Sequence, residues 1–275
     1  MSTFRTTASA SETVRRNGVV RSASRIVPEE VPIAFSYGGS THAVMMATPA
    51  DLEDFALGFS LTEGIIGSAA EVAGIEVVAE GPGIDVQITL ADDAADALRT
   101  RRRHMAGPVG CGLCGIESIE QAMRPVPDVG GVTLNLDDRQ IVEAIALLNG
   151  AQPLHRETHA VHGAGFYIPG RGLLAVREDV GRHNALDKLC GAVIAAGHTG
   201  AEGAVVVTSR LSVEMVQKAA ILGSAVLVAI SAPTALALRT AEEAGMTLIA
   251  LVRGEDFEIF THSTRIFSGV SADVA

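Results

Sequence analysis

Three continuous apolar runs of strand length, Gly203–Val207, Ala225–Ile230 and Thr247–Val252, constrain the fold of this chain more than any other feature. None alternates with polar residues, as a strand wetted on one face would, so each predicts a strand covered on both faces. The segments between them, Leu211–Leu222 and Pro233–Ala244, have helix length. Each is closed by a glycine, Gly223 or Gly245, where a helix C-terminus favours one. The order β-α-β-α-β predicts an α/β fold with a mostly parallel sheet. An earlier pair of runs, Ala160–Ile168 and Gly172–Val176 around Pro169-Gly170-Arg171, reads as a hairpin leading into that sheet.

Upstream, the pattern predicts a smaller α+β unit. Val31–Tyr37 and His42–Met46 flank Gly38-Gly39-Ser40-Thr41 as a hairpin, and Thr48-Pro49 is expected to open a helix with Thr48 as its cap. Leu52, Phe55, Phe59 and Leu61–Ile65 supply that helix's apolar side. Ile75–Val78 and Ile84–Ile88 read as two further strands, followed by a helix over Ala91–His104. Four glycines and a proline within Gly107–Gly115 exclude regular structure there and predict a flexible loop. A last helix is expected over Asp137–Leu148. The boundaries that follow are a mobile tail over 1–28, an α+β unit over 29–106, the loop over 107–134 and an α/β unit over 135–275.

Composition narrows the function. With 32 acidic against 21 basic residues the formal charge is −11, the opposite of what a general nucleic-acid binder requires. No stretch of eighteen apolar residues occurs, so no membrane span is expected, and the Ser-, Thr- and Arg-rich start lacks the apolar segment of a secretory signal. Three cysteines do not make a disulfide framework, which points to a reducing cytoplasm. Arg99, Arg101, Arg102 and Arg103 crowd just before the first cysteine. They suit either a helix C-terminus, whose dipole favours cations, or a small phosphate-binding patch.

Cys111 and Cys114 form a C-x-x-C. A structural zinc site needs two more ligands at matching spacing; there is no second C-x-x-C, and His155, His159 and His162 could serve, but the first of them follows Cys114 by 41 residues. A redox dithiol is expected to open a helix after a strand, whereas a glycine loop precedes this one. The third reading is an exposed nucleophile on a moving arm. Cys190 differs: with Leu186, Leu189, Val193 and Ile194 it lies on a helical apolar stripe, and it reads as a core residue.

Ligands of open parallel sheets bind beyond the carboxyl ends of the strands. There this chain carries Thr208-Ser209-Arg210, Ser231-Ala232-Pro233-Thr234 and Arg253-Gly254-Glu255-Asp256, with Glu178–His183 after the hairpin strand. Three arginines, Arg182, Arg210 and Arg253, at one predicted edge favour an anionic nucleotide. Ser209, Ser231 and Thr234 also suit plain helix caps.

The blocks Gly110-Cys111-Gly112-Leu113-Cys114-Gly115, Glu178–Lys188 (EDVGRHNALDK), Ser209–Lys218 (SRLSVEMVQK), Ser231–Thr234 and Asp51–Ile65 resemble the formate dehydrogenase accessory sulfurtransferases, the FdhD family, from about Glu29 onward. The resemblance implies a sulfur carrier that accepts persulfide sulfur from a cysteine desulfurase. It passes that sulfur to the molybdenum bis(molybdopterin guanine dinucleotide) cofactor destined for formate dehydrogenase. It further implies Cys111 as the persulfide bearer, Cys114 as its partner, and Leu251, Val252, Arg253, Gly254, Glu255 and Asp256 as the cofactor-binding stretch. It also implies a homodimer and a C-terminal fold similar to cytidine deaminases, without their zinc set, since Gly110 stands where that set needs proline. The cofactor is bound as a substrate, and no resident metal is expected. A rival reading is a chaperone that holds the guanine dinucleotide and leaves the cysteines incidental.

Overall fold

The computed structural model describes residues 4–105 and 125–267. Strands β1 (Thr7–Arg16) and β2 (Val19–Pro28) form a separate antiparallel ribbon. Next come β3 (Val31–Tyr37), β4 (Ser40–Ala47), α1 (Leu52–Thr62), β5 (Val72–Glu80), β6 (Gly83–Leu90) and α2 (Asp92–Met105). The second half holds β7 (Leu136–Asp137), α3 (Asp138–Gly150), α4 (Pro153–Thr158), β8 (His162–Ile168), β9 (Gly172–Asp179) and α5 (Arg182–Ala195). It ends with β10 (Ala204–Val207), α6 (Val213–Leu222), β11 (Val226–Ala229), α7 (Ala235–Glu243), β12 (Thr247–Arg253), β13 (Asp256–Thr261) and β14 (Ile266–Phe267).

The predicted β-α-β-α-β core is present, with Gly223 and Gly245 both left-handed after their helices. The sheet is not mostly parallel, however. Its order is β13-β12-β11-β10-β8-β9; only the two pairings among β10, β11 and β12 are parallel, and the three flanking ones are antiparallel. A hairpin at each side accounts for this, and that of β12 and β13 turns on Gly254 (φ 62°).

Three other expectations change. Residues 1–28 were expected as a tail, yet 7–28 are the ribbon, turned by Asn17 and Gly18, both at positive φ as the hairpin turn requires. Thr48 does not cap α1. The helix begins at Leu52 after a left-handed Asp51, and Thr48 is fully buried. Of the loop expected over 107–134, residues 107–124 lie outside the described residues, and residues 125–134 are held in place: Val129 donates to Ala244 O at 2.9 Å, and the Arg265 guanidinium donates to Val129 O and Gly130 O at 3.3 and 3.0 Å.

The expected boundary between two units does not divide the core. One continuous cluster runs from Ile33, Phe35 and Val86 of the four-stranded sheet (order β4-β3-β6-β5) through α1, α5, α6 and α7 to Val205, Leu227 and Leu248 of the large sheet. α3 covers the large sheet's other face with Ile141, Ile145 and Leu148. α1 is thus sandwiched. The Phe35 ring stacks on Phe59 at 4.5 Å and meets Phe55 edge-on at 4.9 Å.

On its other side α1 touches α5 backbone to backbone. A Cβ at Gly58 would fall 1.7 Å from Asp187 O, and one at Gly191 would fall 1.8 Å from Asp54 O. Glycine costs a helix interior about 1 kcal/mol relative to alanine, so these two are kept for the close approach. Gly191→Ala is expected to destabilise the protein by roughly 1–3 kcal/mol or more, as overpacking does. Gly131→Ala, with nothing within 4 Å of the added carbon, should stay within about 0.5 kcal/mol of the parent. Urea unfolding of both variants checks the contrast.

Candidate functional site: the carboxyl edge of the large sheet

The helix crossing aligns two buried ion pairs behind the sheet's carboxyl edge. Asp179, the fully buried last residue of β9, accepts from Lys188 Nζ at 2.6 Å, Gly181 N at 2.8 Å, Asn184 Nδ2 at 2.9 Å and Thr48 N at 3.0 Å. Lys188 Nζ also donates to Thr48 O at 2.8 Å and stands 5.3 Å from the centre of the Phe55 ring. Every partner is satisfied, which is what makes such a charge tolerable without water.

The second pair joins three helices. Lys218 of α6 lies 2.7 and 2.9 Å from the Asp187 carboxylate of α5, and Thr62 of α1 donates to the same carboxylate at 2.7 Å. Burial pushes the Asp187 carboxyl up, against the pull of Lys218. Burial also works against the Lys218 charge, yet Asp187 and Glu63 outweigh it and hold its pKa above the ordinary value. Cys190, one turn from this pair, is fully buried, and burial pushes its thiol far above the usual range. It is a core residue with no nucleophile's access.

At the edge, strand order sets the sequence of loops. Leu251–Asp256 comes first, then Ser231–Thr234, Thr208–Arg210, the start of β8, and Asp179–His183. The strands ending at Arg253 and Asp179 are four spacings apart, about 19 Å. Backbone bonds tie the middle loops together: Leu211 N donates to Ala232 O at 3.2 Å, Thr234 N to Leu211 O at 2.9 Å, and Leu251 N to Ser231 O at 3.4 Å. Every predicted rim segment therefore reaches one edge.

Their side chains do not all face outward. Ser209 is buried and donates to Arg210 O at 3.1 Å. Thr234 caps α7 by accepting from Ala237 N at 3.2 Å, so the plain cap reading holds for it. Ser231 is half-buried, and its carbonyl serves the Leu251 amide. Val252 packs into the core under the sheet, which leaves only its backbone for a ligand. Leu251 holds a positive φ of 58° at a break in the β12–β13 ladder, which opens backbone groups there. Arg210, Arg253, Gly254, Glu255 and Asp256 are exposed.

The other end of the edge carries Arg182 and two histidines. The Nε of Arg182 is buried without a hydrogen-bond partner. His183 Nε2 lies 2.7 Å from Glu214 Oε2, and that contact holds the Glu214 carboxyl below the usual carboxylate range. His162 belongs to this group too. Burial, then Arg182 and His155, lower its pKa, and Asp179 only partly opposes them. Sequence reasoning missed His162 because β8 runs antiparallel to β10, so its first residue, not its last, lies at the edge. The signal was available in the hairpin that puts β8 out of step with the other strands.

Among the described residues no group of three or more His, Cys, Asp or Glu is placed to hold a metal ion, and no helix is long and apolar enough to cross a membrane. Cys111, Cys114 and the side chains of Arg99 and Arg101–Arg103 lie outside the described residues. The chain returns at Pro125 beside a cavity of about 140 Å³ that is also lined by Val126, Val213, Gln217, Thr240 and Glu243. The cavity lies between the start of α6 and the C-terminal half of α7.

Residues 28–267 match the model of the FdhD/NarQ family. A protein of Agrobacterium fabrum named sulfur carrier protein FdhD is 69% identical over 92% of this chain and 94% of its own. One of Brucella abortus with the same name is 57% identical over 88% and 90%. The crystal structure of a protein described as a formate dehydrogenase accessory protein, from Desulfotalea psychrophila, superposes with a TM-score of 0.75 at 27% identity. It covers 96% of this chain and 100% of that one.

Lys188→Met is expected to cost about 3–5 kcal/mol, the usual loss when one partner of a buried pair is removed and the other charge is stranded. Equilibrium unfolding measures it; a loss below about 1 kcal/mol would mean that Asp179 does not need its lysine.

Proposed function

The chain belongs to the FdhD/NarQ family, and on that footing we propose that it is a sulfur carrier in the maturation of formate dehydrogenase. Cys111, as a thiolate, takes the outer sulfur of a cysteine desulfurase persulfide. The new S–S bond forms on Cys111 while the donor's S–S bond breaks, and the donor leaves as a thiolate, so no external oxidant is needed. Cys114 is the partner thiol. The acceptor is the molybdenum bis(molybdopterin guanine dinucleotide) cofactor, held as substrate along the carboxyl edge of the sheet. A thiol exchange of this kind belongs in the reducing cytoplasm.

One observation in the fold carries the acceptor's place. Arg182 has a buried Nε without a hydrogen-bond partner beside His162 and His183, with Glu214 as the neighbouring carboxylate. A phosphate of the dinucleotide would supply the acceptor that this nitrogen lacks. Arg210 and Arg253 offer exposed guanidinium groups toward the other end of the edge, and the Leu251–Gly254 backbone lies between the strand end and the turn. Ten residues lie between Cys114 and Pro125, and the eleven steps joining them span at most about 36 Å.

Intact-protein mass spectrometry after incubation with a cysteine desulfurase and cysteine tests the reading. The wild type and Cys190→Ala should each gain a sulfur atom, and Cys111→Ala should gain little or none. An adduct that persists without Cys111 or follows Cys190 would overturn the assignment. Absence of an adduct from every variant would favour a chaperone that only carries the cofactor.

A further inference from the structure

His162, half-buried at the first position of β8, has no task in the function proposed above. In the strand register it stands opposite Asp179, the carboxylate that a histidine in this place would be expected to use. Asp179 is already spent. Its Oδ1 accepts from Gly181 N and Asn184 Nδ2, and its Oδ2 accepts from Lys188 Nζ and Thr48 N.

The two other carboxylates of this corner are engaged as well. Glu178 accepts from Leu154 N at 2.9 Å and His155 N at 2.8 Å. Glu214 lies 2.7 Å from His183 and within the field of Arg182. Besides Asp179, the groups that act on the His162 ring are Arg182 and His183 of α5 and His155 of α4, each positive or able to become so. Burial and these neighbours hold the ring below the ordinary 6.5 of histidine, so at pH 7 it is neutral. An anion at the Arg182 Nε reverses this balance: it offsets the guanidinium and itself favours the imidazolium.

We propose, on the footing that the edge holds the dinucleotide, that His162 is a further binding residue for the phosphate at Arg182 and takes up a proton as that phosphate arrives. The proton passes from solvent to the ring, whose new N–H donates to a phosphate oxygen; no other covalent bond changes. Binding and protonation then favour each other by the same factor. Affinity rises as pH falls toward the histidine range, and a rise in pH loosens the ligand.

Calorimetric titration of GDP at about pH 7.5, in buffers of different ionisation enthalpy, counts the protons taken up on binding. The wild type and His183→Gln should both take up protons. His162→Gln should keep the parent's circular dichroism, take up fewer protons and bind several-fold more weakly. Wild-type affinity should rise by up to about tenfold for each unit of pH lowered toward 6.5, a dependence that His162→Gln flattens. Where His162→Gln binds too weakly to titrate, the uptakes of the wild type and His183→Gln decide. GDP that binds the wild type without proton uptake overturns the role of His162 and leaves the edge as the nucleotide's site. So does equal uptake in His162→Gln, or uptake that disappears with His183→Gln. Absence of GDP binding to the wild type overturns the edge assignment and this role together.

Discussion

Two glycines facing each other across α1 and α5 set the distance on which the rest of this molecule depends. Because Gly58 and Gly191 carry no side chain, Asp187 O and Asp54 O approach the opposing helix where any Cβ would collide. That contact brings the α1 end within reach of α5 and α6, so Thr62, Asp187 and Lys218 meet in one buried group. It also draws the β4–α1 connection over the end of β9, where Thr48 supplies an amide to Asp179 and a carbonyl to Lys188. Separated by one more carbon layer, Asp179 and Lys188 would lose Thr48, and Asp187 would lose Thr62, from the contacts that make their burial tolerable.

The two charged sequence blocks therefore divide their labour along the helices they open. In Glu178–Lys188, the carboxylates and the lysine face inward or brace neighbours; Glu178 accepts from Leu154 N and His155 N at the start of α4. Only Arg182 and His183 turn toward the edge. In Ser209–Lys218 the pattern repeats, with Glu214 at the edge against His183 and Lys218 in the interior against Asp187. A buried frame holds each edge residue, so the cationic corner is arranged before any ligand arrives, and binding need not order it.

Much of this was legible in the sequence. Continuous apolar runs and terminal glycines located β10, β11, β12, α6 and α7, and the rule that ligands meet strand ends located the edge. What escaped has identifiable physics. The ribbon is built from Ser, Thr, Ala and Arg with no apolar run, and the pair Asn17-Gly18 was its one clear mark. The sheet's antiparallel flanks depend on which strands pair, which periodicity does not encode, and His162 was lost with them. Thr48 looked like a cap because Thr-Pro before an apolar helix usually is one; burial gave its backbone another task. Most of all, a block rich in Asp, Lys and Arg reads as a wet, reactive loop. Here Asp179, Asp187, Lys188 and Lys218 are interior groups, paired from β9 to α5 and across α1, α5 and α6, which makes their burial tolerable.

The central proposal is that this frame presents the unpaired Arg182 Nε to a guanine dinucleotide. Calorimetric titration of GDP, which carries the guanine and diphosphate of that ligand, into wild type and Arg182→Ala tests it most directly. The account predicts binding to the wild type and a loss of about 1–3 kcal/mol in the variant, the usual cost of one charged hydrogen bond. No binding to the wild type, or equal affinity in the two proteins, would contradict it.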